Sequence, residues 1–137
     1  MITKIKDKKK ILAIVIRPNY LKKKGVNFFT DNKLSQQVAF MSHKKNHEIK
    51  AHIHKRKLKK IYDTNEVLFV LKGEMRVDFY NSQKIFLKST ILKKNYIILL
   101  LSGGHGFKIT KDCKFLEVKQ GPFKICKDKE RFTVDKK

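Results

Sequence analysis

EVLFVLKGEMRVDFY, residues 66–80, is the stretch on which the fold turns. Its apolar residues recur at every second position, the period of a strand with one buried face. In the second half Met75, Val77 and Phe79 share one face, and Glu74, Arg76 and Asp78 share the other. In the first half Glu66 shares its face with Leu68 and Val70, so a carboxylate opens an apolar row. Lys72-Gly73 between the halves reads as a tight turn, which predicts two strands joined as a hairpin.

Working outward, the same signal repeats. ILAIVIR (11–17) is apolar and β-branched throughout, the pattern of a strand buried on both faces. VNFFT (26–30), QQVAFMS (36–42) and EIKAHIH (48–54) read as short strands. After the Asn81-Ser82 turn come QKIFLKSTIL (83–92), YIILLLS (96–102), HGFKIT (105–110) and CKFLEVKQ (113–120). Gly121-Pro122 ends regular pairing, and the polar tail 127–137 reads as an edge or a frayed end. Helical periodicity is nowhere sustained, so an all-β sandwich or barrel is expected. ILAIVIR is too apolar to lie at an open edge, and Val67, Phe69 and Leu71 present a second apolar face. Cover by a second copy through one isologous contact, a homodimer, is therefore expected.

A chain of 137 residues is one domain (1–137) and buries about two thirds of its extended surface on folding. It needs no disulfide, and Cys113 and Cys126 read as reduced thiols. The N-terminal Lys cluster followed by ILAIVI is too short for a secretory core, and Arg17-Pro18 stands where small residues would. No run approaches a membrane helix, so a soluble cytoplasmic protein with no membrane partner is expected. The formal net charge is +22, but of the 34 basic residues only Arg17, Arg56, Arg76 and Arg131 are arginines. A chain rich in Lys, Ile and Asn has the codon drift of an AT-rich genome. Base readout favours the arginine fork, and no ribonucleoprotein, zinc-finger or helix-turn-helix pattern is present, so no specific nucleic acid is expected.

The residues with chemistry are His52, His54, Glu66 and His105. Two imidazoles two residues apart in a strand share a face, roughly 7 Å apart along the backbone. Glu66 in an apolar row calls for a compensating cation, because an unpaired buried charge is costly. Three imidazoles and one carboxylate suit a divalent first-row metal (Fe, Mn, Ni or Zn) with positions left for substrate. KRKLKK (55–60) lies between His54 and Glu66, so Arg56, Lys57 and Tyr62 are candidates for binding an anionic small-molecule substrate at the pocket mouth. His43 and His47 read as exposed, Asp63 and Asp78 as turn and surface residues, and Tyr80 as core or rim packing. Gln37, Glu117, Lys119 and Gln120 sit on strands with no assigned direction. Gly103, Gly104 and Gly106 around His105 mark an unusual backbone. No nucleophile elbow and no phosphate-cradling loop before a helix appears.

These motifs resemble the cupin superfamily. Its first motif, His-x-His, a gap, Glu, six residues, Gly, matches His52, His54, Glu66 and Gly73. Its second, a Gly-containing turn and a His, matches SGGHGF with His105. Eleven residues separate His54 from Glu66 where the common gap is three or four, and the Pro usual before the last His is absent. The resemblance covers roughly residues 36–120. EVLFVLKGEMRVDFY, SGGHGF and EVKQGPF look more narrowly like small bacterial cupins of surface-polysaccharide gene clusters. It implies a jelly-roll barrel and an enzyme that isomerises or epimerises a sugar or sugar nucleotide on one metal. A metal-dependent dioxygenase and a non-catalytic ligand-binding cupin are the alternatives. A metal-free variant uses a His base paired to a carboxylate, with a Tyr acid, and the four-ligand set argues against it here.

Overall fold

The structure is a computed structural model that describes residues 1–122 and 129–134. Cys126, Phe123 and part of the 127–137 tail lie outside the described residues. The strands are β1 (Ile2–Asp7), β2 (Lys10–Ile16), β3 (Gly25–Phe28), β4 (Ala39–Ser42), β5 (Glu66–Tyr80), β6 (Phe86–Lys93), β7 (Ile97–Leu100) and β8 (Gly104–Lys119). The one helical element among the described residues is a 3-10 turn, Pro18–Lys22. All strand pairs are antiparallel, so the all-β expectation holds. The larger sheet runs β1-β2-β7-β5-β6, with β8 along the other side of β5, and β3-β4 form a separate hairpin.

The predicted hairpin at Lys72-Gly73 is corrected: residues 66–80 form one continuous strand that pairs with β8 from end to end. Gly73 sits in a bulge, with register shifts between Val70 and Met75. Its φ is +80°, and a Cβ there would lie 1.8 Å from the Asp112 carbonyl oxygen. An extra residue reverses side-chain parity. The buried row accordingly passes from Glu66, Leu68 and Val70 to Met75, Val77 and Phe79, and the apolar residues of both halves enter one core. β5 changes partner at the same place: Glu66–Phe69 pair with β7, and Glu74–Tyr80 pair with β6. The β6–β7 turn fills the gap, with Asn95 N–H donating to Val70 O (2.8 Å) and Val70 N–H to Tyr96 O (3.0 Å).

The β5–β8 ribbon is curled. His105 pairs opposite Phe79, thirteen residues along β5 from Glu66. On a straight strand that separation is about 43 Å. The two side chains nevertheless stand 3.1 Å apart, so the bulge folds the ribbon back and brings its ends together. Leu68, Val70, Met75, Val77, Phe79, Leu92 and Ile98 fill the inside of the curl with Ile5, Ala13 and Val15. Each fully buried aliphatic side chain contributes about 1.5–3 kcal/mol.

β2 is buried on both faces, as its composition predicts, but it is not an edge. β1 pairs with one side and β7 with the other, so the chain covers that edge itself. This corrects the premise on which a dimer through β2 was expected. The outer face of β2 and β7 (Ile14, Ile16, Leu99) lies under Tyr20, whose ring meets Phe29 and Phe40 edge-on at 6.0 and 5.1 Å. HGFKIT and CKFLEVKQ, expected as two strands, are the single strand β8, because its partner β5 is also continuous. Among the described residues, no helix is long and apolar enough to cross a membrane.

EIKAHIH is not a strand. Residues 47–65 have no regular structure, and every residue from 43 to 64 is exposed. The physical reason lies in the neighbours. Six basic side chains crowd residues 50–60, and Ile49, Ala51 and Ile53 make only a short apolar face, too little to hold the stretch against a sheet.

Candidate functional site

The site is built where the chain enters β5. Asn65 is buried and its N–H donates to Gln120 Oε1 (2.8 Å), tying the start of β5 to the end of β8. Glu66 follows, only 3% exposed. Its Oε2 accepts a hydrogen bond from His105 Nε2 at 3.1 Å, and its Oε1 lies 3.3 Å from Lys129 Nζ. The His105 hydrogen bond, opposed by burial and joined by the charges of His105 and Lys129, holds the Glu66 carboxyl at about 2 against an ordinary 4.5. The side chain therefore stays an anion in a largely apolar row.

His105 is placed by the turn after β7. Gly103 has φ +73°, and a Cβ there would lie 2.6 Å from the Tyr80 carbonyl oxygen, so the turn needs glycine. His105 opens β8 with its ring 5.3 Å from that of Phe107. Because Nε2 donates to Glu66, the neutral ring carries its lone pair on Nδ1.

The pair lines a cavity of about 510 Å³. Ile61, Tyr62 and Asp63 form one wall, Lys119 and Gln120 another, and Lys129, Glu130 and Phe132 a third. Phe132 stands perpendicular to Tyr80 at 5.3 Å, in space left by Gly104, where a Cβ would lie 3.0 Å from the Phe132 ring. Glu130 is held by Lys84 at 2.5 Å. Glu117 hydrogen-bonds Lys119 (3.1 Å), which raises the lysine further above its ordinary value. The wall is thus a mixture of ion-paired charges and aromatic surface.

Of the residues predicted from sequence, the structure brings together Glu66, His105 and Tyr62. His52 and His54 lie on the exposed segment outside the cavity, their rings 5.1 Å apart and His52 Nδ1 3.0 Å from Lys50 O. Arg56 and Lys57 are exposed on the same segment and do not line the cavity. Among the described residues, no group of three or more His, Cys, Asp or Glu side chains stands close enough to hold an ion. The residues as placed do not fit a four-ligand metal site. His43 and His47 are exposed, with stacked rings at 4.0 Å. Asp78 joins Arg76 (2.8 Å) and Ser89 (2.5 Å) on the sheet surface, whereas Asp63 lies in the cavity wall. Burial pushes the Cys113 thiol up, which suits an inert cysteine.

Lys129, Glu130 and Phe132 escape a sequence reading. The tail carries no periodicity, and its one signal is Phe132, an aromatic among charged residues. The sequence gives Lys119 and Gln120 no direction because β8 is exposed over most of its length and shows no parity. No protein-family model matches this chain, and no curated protein or solved structure matches it either.

Proposed function

We propose that this chain is a cupin-like small-molecule enzyme that moves a proton on a substrate held in the Glu66–His105 cavity, without a metal in the chemical step. The observation that carries this reading is the 3.1 Å contact of His105 Nε2 with Glu66 Oε2 in the cavity wall. A carboxylate that stays ionised orients the imidazole and stabilises the imidazolium formed when Nδ1 takes a proton. The substrate class is a sugar or sugar nucleotide with a carbonyl beside the reacting carbon. Nδ1 removes the proton from that carbon, the electron pair moves into an enolate, and return of a proton completes an isomerisation or epimerisation. Tyr62, at the exposed mouth of the cavity, is the phenol assigned in this reading to exchange a proton with the enolate oxygen. Lys119 and Lys129 supply positive charge to an anionic substrate group. The resemblance to polysaccharide-cluster cupins suggests cell-surface polysaccharide metabolism as the setting.

A second reading, a divalent metal on His52, His54, Glu66 and His105, draws on one observation: Glu66 and His105 do share a site. It requires the 43–64 segment to move onto them.

The test is solvent exchange. Protein stripped with chelator is incubated in deuterium oxide with nucleotide-linked keto sugars, and deuterium incorporation is read by mass spectrometry. Wild-type protein is expected to exchange the proton beside the carbonyl, with a loss of about 10²–10⁴ in His105→Asn. Binding without exchange would make the chain a ligand-binding cupin. Exchange that needs added metal, and is lost in His52→Ala, would establish the metal reading.

A further inference from the structure

The exposed segment before β5 combines two properties that water alone does not reconcile. Ile53, Leu58 and Tyr62 are 95%, 93% and 90% exposed, and Ile49 and Ile61 are also exposed. Lys50, Lys55, Arg56, Lys57, Lys59 and Lys60 stand among them, and residues 49–62 contain no acid. Five large exposed apolar side chains interspersed with six basic ones, with no acid between them, make one strip that is apolar and cationic at once. Whatever covers the strip must be apolar and anionic together.

We infer that residues 49–62 form a strap that docks on an anionic lipid surface, its apolar side chains entering the headgroup boundary and its basic side chains pairing with lipid phosphates. Interfacial binding joins buried apolar area to attraction for anionic lipid, and both contributions are present in this strap. The expectation of no membrane partner rested on the lack of a spanning run, and docking at the interface needs none. A nucleic acid fits less well. Single strands are held by aromatic stacking, and the fully exposed apolar residues here are chiefly aliphatic. An acidic groove on a partner protein engages charge locally, whereas the +22 excess of this chain is spread along its length. A broad anionic surface engages more of that excess. The inference does not depend on the chemistry proposed for the cavity. It does give the cavity a place, because Ile61 and Tyr62 belong both to the strap and to the cavity wall.

The test is co-sedimentation of the full chain, in chelator, with phosphatidylcholine vesicles and with vesicles containing a quarter phosphatidylglycerol. Polyuridylate serves as a soluble polyanion. Two variants carry the argument, Ile53→Ser/Leu58→Ser and Lys55→Gln/Arg56→Gln/Lys57→Gln. The substituted residues are exposed and outside any strand, and circular dichroism checks that the fold is kept. Wild-type protein should bind the anionic vesicles and not the neutral ones. The Ile53/Leu58 variant should bind them tenfold or more weakly with unchanged affinity for polyuridylate. The basic variant should lose about a hundredfold, roughly fivefold per charge. Wild-type vesicle affinity in the Ile53/Leu58 variant would reduce the effect to bulk charge and overturn the inference. So would an equal loss on polyuridylate, or no binding of the anionic vesicles by wild-type protein.

Discussion

Residues 43–64 and residues 66–80 are neighbours in the chain, and of the expected ligand set the first carries His52 and His54 and the second Glu66. The first is exposed at every position and pairs with nothing regular, while the second is the strand on which the whole sheet is assembled. His-x-His and Glu-x6-Gly are equally legible as spacings. Only the second lies in a sequence whose alternate residues can bury a face, and burial, not spacing, is what positions a side chain. Glu66 is fixed because Leu68, Val70 and the curl behind them are fixed. His52 and His54 have only Ile49, Ala51, Ile53 and a crowd of basic side chains to hold them.

The largest test of this contrast is at the bulge. Gly73→Ala places a Cβ on the Asp112 carbonyl oxygen and forces a non-glycine residue to φ +80°. A loss of about 3 kcal/mol or more is expected in urea unfolding. The same technique applied to Ala51→Gly, in the exposed segment, should show less than about 0.5 kcal/mol. Equal effects at the two positions would mean that β5 is not one bulged strand.

Next in size is the buried carboxylate. Glu66→Gln removes the charge that His105 and Lys129 face and should cost about 1–3 kcal/mol at neutral pH. His52→Ala and His54→Ala should each stay within about 0.5 kcal/mol in metal-free buffer. If His52→Ala destabilises as much as Glu66→Gln, the segment is packed in solution and the contrast fails.

The pH dependence sharpens the same point. Glu66 titrates at about 2 in the folded chain against an ordinary 4.5, so the folded state holds fewer protons between these values. Its contribution is complete above 4.5 and is lost as pH falls through the folded value near 2. The stability gap between wild type and Glu66→Gln should therefore narrow on acidification across that window, measured by thermal melts. A gap that stays constant to pH 2 would mean that the carboxylate is not the ionised partner described here.

Much of the architecture was legible in advance. The all-β class, the one-faced burial of Met75, Val77 and Phe79, and the two-faced burial of β2 follow from which residues can leave water. The Gly73 bulge looks like a hairpin in the sequence because both devices break a strand pattern at a glycine. The parity change from Val70 to Met75 is compatible with either, and only the end-to-end pairing with β8 decides. Glu66 and His105 are expected together from the sequence, and the structure brings their side chains into contact on one cavity wall. Their direct contact was not foreseen, since it depends on a curl that closes thirteen residues of strand onto themselves. Lys129 and Phe132 arrive from a tail with no pattern to read, and the exposure of His52 and His54 reflects a lack of partners that spacing does not encode.

The most direct test of the central claim is a long-range proton–nitrogen correlation spectrum of the histidine rings, recorded on chelated protein and again during a zinc titration. The Glu66–His105 contact stands without the His52/His54 segment. His105 is therefore expected to keep its proton on Nε2 throughout. The His52 and His54 signals are expected not to move together with those of His105. Stoichiometric zinc that shifts His52, His54 and His105 in concert and strips Nε2 of its proton would contradict it.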